Sequence, residues 1–325
     1  MSEAELMRNQ ILARSFYIRT LRKASLARDR SLVGISGLIF VLLLFGAPHH
    51  AYAHAYSMIE LETLGVSTSV GYAINTQGQV TGESATADGK IRAFLFTPNR
   101  GVADLGTLGG SSSIGCAISA HGQVTGWSVT NDGAAHAFLF TPRTGMIDLS
   151  TLGGATSKGL ALNVDGQVAG KSATFNGAIH AFLYTPGTGM IDLGTLGCNT
   201  SVAYAINACG QVAGESATSN GAIHAFVYTP GTGMIDLGTL GGNTSVAYAI
   251  NARGQIAGES VNSNDKMHAF LFADSTMRDL NSMVDRAIAK RMTLISGRGI
   301  SDRGLILVNG VDATSDEIRS YLLRK

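Results

Sequence analysis

The chain has 325 residues, with 24 basic and 23 acidic side chains, 45% hydrophobic residues, 41 glycines and 5 prolines. Near-neutral charge excludes a basic nucleic-acid-binding face. Four of the five prolines (Pro98, Pro142, Pro186 and Pro230) stand at a fixed spacing of 44, so they punctuate turns and exclude a disordered low-complexity chain.

Residues 1–55 differ in kind from the rest. A basic segment holds Arg8, Arg14, Arg19, Arg22, Lys23, Arg28 and Arg30, an uncharged apolar run spans Leu32 to Ala47, and small residues follow in Ala51–Ala55. That order is a secretory signal, with cleavage expected after Ala53 or Ala55. An uncleaved signal anchor is the alternative, although the apolar run is short for a membrane span. Seven of the 24 basic and three of the 23 acidic residues lie in this segment, so the mature chain keeps 17 and 20, a net charge of −3.

The remainder is periodic. DLGTLG recurs from Asp104, Asp192 and Asp236, with DLSTLG from Asp148, a spacing of 44 residues. Such a period marks a repeat architecture in which each copy buries its apolar face against a neighbour. The copy from Ser201 to Gly241 predicts four strands. SVAYAIN leads into a turn at Asn207–Gly210, whose slot reads Asn or Ser first and Gly fourth at Asn75, Ser119, Asn163, Asn251 and Ser301 as well. This suits a type I turn ending at a residue with positive φ. GQVAGESAT follows, and Asn220–Gly221 predicts a type I′ hairpin. Equivalent pairs begin at Asp88, Asp132 and Asn176, while the fifth copy has Asn264–Asp265. HAFVYT is the third strand, and MIDLGTL, Met234 to Leu240, the fourth.

Consecutive apolar residues such as Ala225, Phe226, Val227 and Tyr228 indicate a sheet covered on both faces. Four-stranded sheets covered by their neighbours are the blades of a propeller. Blades are expected at 66–108, 110–152, 154–196, 198–240 and 242–282. A degenerate sixth at 291–325 supplies three strands, and MIELETLG from Met58 resembles the missing fourth. The fold expected is all-β, a six-bladed propeller over 56–325 whose last blade is closed by residues 56–64, since a ring abolishes exposed strand edges. Asn281–Met292 reads as a short amphipathic helix beside the ring. Cys198 and Cys209 flank a strand that would hold them about 20 Å apart, which argues against a disulfide.

His-Ala-Phe at His136, His180, His224 and His268, following AIN..GQV.G and preceding TPGTGMIDLGTLGG, resembles the HAF repeat of bacterial extracellular repeat proteins. The resemblance covers about Met58 to Phe272. The first copy has Arg92 in place of His, and the sixth lacks the tripeptide. Export and repetition are what the resemblance implies; it transfers no catalytic residue.

Repetition also bears on chemistry. Histidines at one slot of successive blades are spread around a ring, so they do not converge on a metal, and each is expected to pair within its blade with Asp148, Asp192, Asp236 or Asp279. Ser84, Ser128, Ser172, Ser216 and Ser260 fill a single slot, which argues against a unique nucleophile. PGTG lacks the Lys and spacing of a phosphate loop. No cofactor or metal is implied.

The slot before those serines varies, as Glu83, Trp127, Lys171, Glu215 and Glu259, and these are the candidate ligand contacts, with Trp127 able to stack on a sugar or peptide. Blade connections at 111–113, 155–157 and 199–201 are short and polar. The reading is an exported, monomeric, non-catalytic propeller binding protein or glycan outside the cell or in the periplasm. Its alternatives are a hydrolase or lyase with a site at the channel, and a purely structural repeat protein.

Overall fold

The structure, a computed structural model, describes residues 58–324, within the compact unit Met58–Lys325. The export signal expected at 1–55 lies outside the described residues.

The first repeat is a meander of β1 (Gly65–Ile74), β2 (Val80–Thr86), β3 (Ile91–Thr97) and β4 (Gly101–Asp104), paired in that order and antiparallel throughout. The same unit recurs as β5–β8 over residues 109–148, β9–β12 over 153–192, β13–β16 over 197–236 and β17–β20 over 241–279. A sixth sheet has three strands, β21 (Met292–Ile300), β22 (Ile306–Asp312) and β23 (Ile318–Leu323). The described chain is thus all-β apart from a 3-10 turn at Leu280–Ser282 and one short helix, α1 (Arg286–Arg291).

The first two hairpins of a repeat use the same geometry. The Gly78 amide donates to the Asn75 carbonyl at 3.1 Å and the Asn75 amide to the Gln79 carbonyl at 3.0 Å, with Gly78 at φ 74°. Gly89 and Thr86 repeat that pattern at the second turn, where Gly89 alone has positive φ, 78°. The type I′ turn expected there is therefore a three-residue loop ending in a bulged residue, because the Thr86 hydroxyl donates to the Asp88 carboxylate and holds it over the turn. In the fifth copy Asp265 takes the glycine's place at φ 55°.

The fourth strand is shorter than expected, only Gly233–Asp236 in the fourth copy. Asp236 ends it by accepting from the Gly238 amide at 2.7 Å, and LGTL crosses to the next sheet. Crossovers consequently lie at 105–108 and their equivalents. The segments expected as connections, 111–113, 155–157 and 199–201, are inside first strands.

The core sits between successive sheets. Phe94, Phe138, Phe182, Phe226 and Phe270, the aromatic of each tripeptide, are fully buried. Ala93, Leu95 and Leu105 of the first blade pack on Val124 and Phe138 of the second, and the pattern continues to Ala257, Ala269 and Leu271 of the fifth against Leu294, Ile306 and Val308 of the sixth. At about 2–3 kcal/mol per buried large side chain, these inter-sheet seams dominate stability. Packing also sets glycine use: a Cβ on Gly214 would lie 1.9 Å from the Val202 carbonyl oxygen, so the fixed glycine of GQVAG lets two strands close at a bulge.

Two expectations differ at the C-terminal end. The amphipathic helix at 281–292 is only six residues long, with no buried side chain, and Val284 before it makes the apolar contact. Residues 58–64 form no strand, and no pairing joins β23 to a fourth strand among the described residues.

Candidate functional site

Most repeated polar side chains are consumed by the framework. The Ser216 hydroxyl accepts from the Leu196 amide at 2.8 Å and donates to the Thr200 carbonyl at 3.2 Å. Ser84, Ser128, Ser172 and Ser260 do the same against Leu64, Leu108, Leu152 and Leu240. Each serine staples the incoming crossover to its sheet; a histidine stands opposite it in four copies and Arg92 in the first, yet the hydroxyl is bonded to backbone on both sides, so the slot is structural. A second buried serine slot works across blades: the Ser201 hydroxyl accepts from the Ala181 amide at 2.8 Å and donates to the Gly194 carbonyl at 2.6 Å.

The histidines pair as expected within their own blades. His136, His180, His224 and His268 place Nδ1 at 2.9, 2.8, 2.8 and 2.6 Å from Asp148, Asp192, Asp236 and Asp279. Arg92 replaces histidine in the first copy and meets Asp104 at 3.8 Å. Cys116, Cys198 and Cys209 are unbridged.

What remains is the variable slot. Glu83, Trp127, Lys171, Glu215 and Glu259 stand on second strands, each half-buried and paired with the first strand of its own sheet. Trp127 is half-buried, and Lys158 of the following blade sits over it, Nζ 5.2 Å from the ring centroid. Tyr204 donates to Glu215 and Tyr248 to Glu259, each at 2.8 Å. The two tyrosine rings lie 5.8 Å apart across a blade boundary. Arg298 of the sixth blade stacks 3.9 Å from the Tyr248 ring and reaches Glu259 at 3.3 Å.

Three of the variable residues, Trp127, Glu215 and Glu259, are therefore met by first-strand side chains in a band of contacts that crosses blade boundaries. Sequence comparison of copies found the second-strand members; it missed Tyr204, Tyr248, Lys158 and Arg298, whose own slot variation was the available signal.

Burial raises the phenol pKa values within this band. Burial and then the bond to Glu259 push Tyr248 up to about 12, and burial with the Glu215 charge raises Tyr204 similarly. Both hydroxyls thus remain donors to carboxylates at neutral pH. Burial likewise pushes the Cys116 thiol up to about 11, with Lys158 opposing and Glu83 reinforcing. The band offers aromatic faces, carboxylate acceptors and two cations, a surface for hydrogen bonding and stacking. Among the described residues no group of three His, Cys, Asp or Glu side chains is placed to hold a metal.

No family model and no curated protein matches the chain. Among solved structures it is similar to TolB from Acinetobacter baumannii, at 12% identity over 76% of this chain and 64% of that one, TM-score 0.44. It is similar to AofleA from Arthrobotrys oligospora, at 11% identity over 78% and 81%, TM-score 0.38. A third is the Aleuria aurantia lectin, described as a six-bladed β-propeller with a fucose recognition mode, at 13% identity over 77% and 89%, TM-score 0.37. At these scores nothing about ligand or site passes from them to this chain.

Proposed function

We propose that the protein is an exported, non-catalytic binding propeller of the HAF-repeat kind, monomeric, with six blades arranged in a ring. The observation that carries the reading is the division of labour between slots. Repeated Ser, Asn, His and Asp side chains are bonded into the framework, whereas Trp127, Glu215 and Glu259 of the slot that differs between copies meet Lys158, Tyr204, Tyr248 and Arg298.

A nucleophile with its own base would have to interrupt the repeated pattern. The repeated serines instead bond to backbone. Aromatic faces beside carboxylates suit the apolar faces and hydroxyls of a sugar, or a peptide carrying both. The signal order at 1–55 supports export to the periplasm or beyond. Screening the purified protein on a glycan array and a peptide array tests this reading. Binding that is lost in Trp127→Ala, with the thermal unfolding curve retained, supports it; binding unchanged by Trp127→Ala removes the band from the site.

A further inference from the structure

We infer that the free edge of β23 is a strand acceptor and that its occupant is residues 58–64 of the same chain; this rests on the six-blade ring proposed above. Acceptor and donor match in shape, charge and size.

The shape match is a cavity of about 480 Å³ beside the sixth sheet, lined by Leu280, Val284, Ile300, Ile306 and Leu323. In the earlier blades the corresponding space holds the methionine of the fourth strand. Met146, Met190, Met234 and Met277 pack against the inter-sheet cores, and Met234 and Met277 stand directly opposite Tyr228 and Phe272. Leu323 occupies that aromatic position, opposite Ile306 as Phe272 is opposite Ile256. Its missing partner is Met58, which lies two repeat periods before Met146 and is 95% exposed.

The charge match uses the histidine slot. Arg319 pairs with Gly310 in the register that places His268 opposite Ser260, and Glu60 precedes Asp104 by one period of 44. Arg92 with Asp104 shows that an arginine serves in this slot. Arg319 at present meets Glu317 at 2.6 Å, two positions away on the exposed strand. Seating Glu60 on β23 gives it the cross-strand acid that the other blades have.

The size match lies across the seam between the last sheet and the first. At the first two internal seams, a bulky residue on one sheet faces glycine on the next: a Cβ on Gly115 would lie 2.3 Å from Thr81 Oγ1, and one on Gly159 2.2 Å from Thr125 Oγ1. Alanine faces alanine in the later blades, where Ala169 packs with Ala203 and Ala213 with Ala247. Leu307 holds this position on the sixth sheet, and the first sheet offers Gly71. Leu307 is 43% exposed where its equivalent Ala257 is fully buried, and Ile74 is 70% exposed where Ile118, Ile206 and Ile250 are half-buried. One strand insertion covers the edge, fills the cavity and brings these two faces together.

The test is a disulfide across the predicted pair. Ile191 stands opposite Leu183 and Ile235 opposite Val227, so Ile59 should stand opposite Leu322. In the full chain with Cys198→Ser and Cys209→Ser, the variant Ile59→Cys/Leu322→Cys is oxidised mildly and analysed by non-reducing electrophoresis, size exclusion and peptide mapping. An intramolecular disulfide between the two introduced thiols, in a monomer, is the expected result. An intermolecular bond overturns the choice of occupant in favour of a second copy, and failure to form either bond overturns the acceptor and the ring together. Neither outcome moves the Trp127 ligand test. A charge exchange supplies an independent readout: Glu60→Arg and Arg319→Glu should each lower Tm, and the double exchange should restore it. Absence of restoration removes the ion pair from the proposal.

Discussion

Asn207 donates its side-chain amide to the backbone carbonyl of Asn251 at 3.0 Å, bonding the first turn of one blade to the first turn of the next. Asn75, Asn163 and Asn251 make the same bond to Ser119, Asn207 and Ser301, at 3.0–3.1 Å. In each case Oδ1 also accepts two turn amides, so one side chain shapes its own turn and holds the neighbour. Ser119 interrupts the series: its hydroxyl accepts from His121 and Gln123 at 3.3 Å but has no amide to send across.

The interruption makes a prediction of both signs. Ser119→Asn should stabilise the protein by about 1 kcal/mol by adding a bond to the Asn163 carbonyl, and Asn207→Ser should destabilise it by about the same amount. Urea unfolding midpoints measure both; equal midpoints for all three proteins would show that the inter-blade amide bond contributes nothing net.

Size complementarity between blades predicts a rescue. Gly159→Ala places a methyl against Thr125 Oγ1, which is itself fixed by donating to the Phe138 carbonyl at 2.7 Å. The single substitution should cost about 2–3 kcal/mol. Adding Thr125→Ala recreates the pairing of Ala169 with Ala203 and should recover most of the loss. A double-mutant cycle measures the coupling, and strict additivity would contradict it.

The His–Asp pairs predict unequal partners. The His224 and Asp236 side chains are 21% and 41% exposed, so the ion pair itself contributes less than about 1 kcal/mol. Asp236 has a second role, accepting the Gly238 amide where the chain leaves the sheet. Asp236→Ala should therefore lower Tm more than His224→Ala, and His224→Arg should be tolerated because Arg92 fills that slot in the first blade. Thermal melts of the three variants decide, and a larger loss for His224→Ala would reverse the assignment.

Alkaline pH should weaken the fold. The Cys116 thiol is pushed from 9.0 up to about 11 and the Tyr248 phenol from 10.0 up to about 12, both mainly by burial. Above pH 9 the unfolded chain releases these protons before the folded chain does. Stability is thus fully present below about pH 9 and falls as pH rises towards 12. Unfolding midpoints from pH 8 to 11 should decline, and Cys116→Ala should flatten the first part of the decline. Thiol alkylation at pH 8 should label exposed Cys198 and Cys209 well before Cys116.

Much of this architecture was legible because a repeat states each rule several times. The 44-residue spacing, the glycine closing each first turn and the within-blade acid for each histidine all followed from slots that do not vary. Local side-chain chemistry was harder to read. Asp88 with Gly89 fits two hairpin types equally well in sequence, and only the Thr86 bond to Asp88 selects between them. Likewise, nothing in MIDLGTL announces that Asp236 ends the strand, since its carboxylate acts through an amide two residues on. The band around Trp127 was half visible: variation marked Glu215 and Glu259, while their tyrosine and arginine partners depend on how one blade meets the next.

The central claim is that repeated slots build the scaffold and the variable slot meets the ligand. It is tested most directly by comparing the wild-type protein, Trp127→Ala and Ser216→Ala on one glycan and peptide array, with unfolding measured in parallel. The account predicts that Trp127→Ala loses the bound ligand with its melting curve intact, and that Ser216→Ala melts earlier but binds when folded. Ligand lost from folded Ser216→Ala and retained by Trp127→Ala would contradict it.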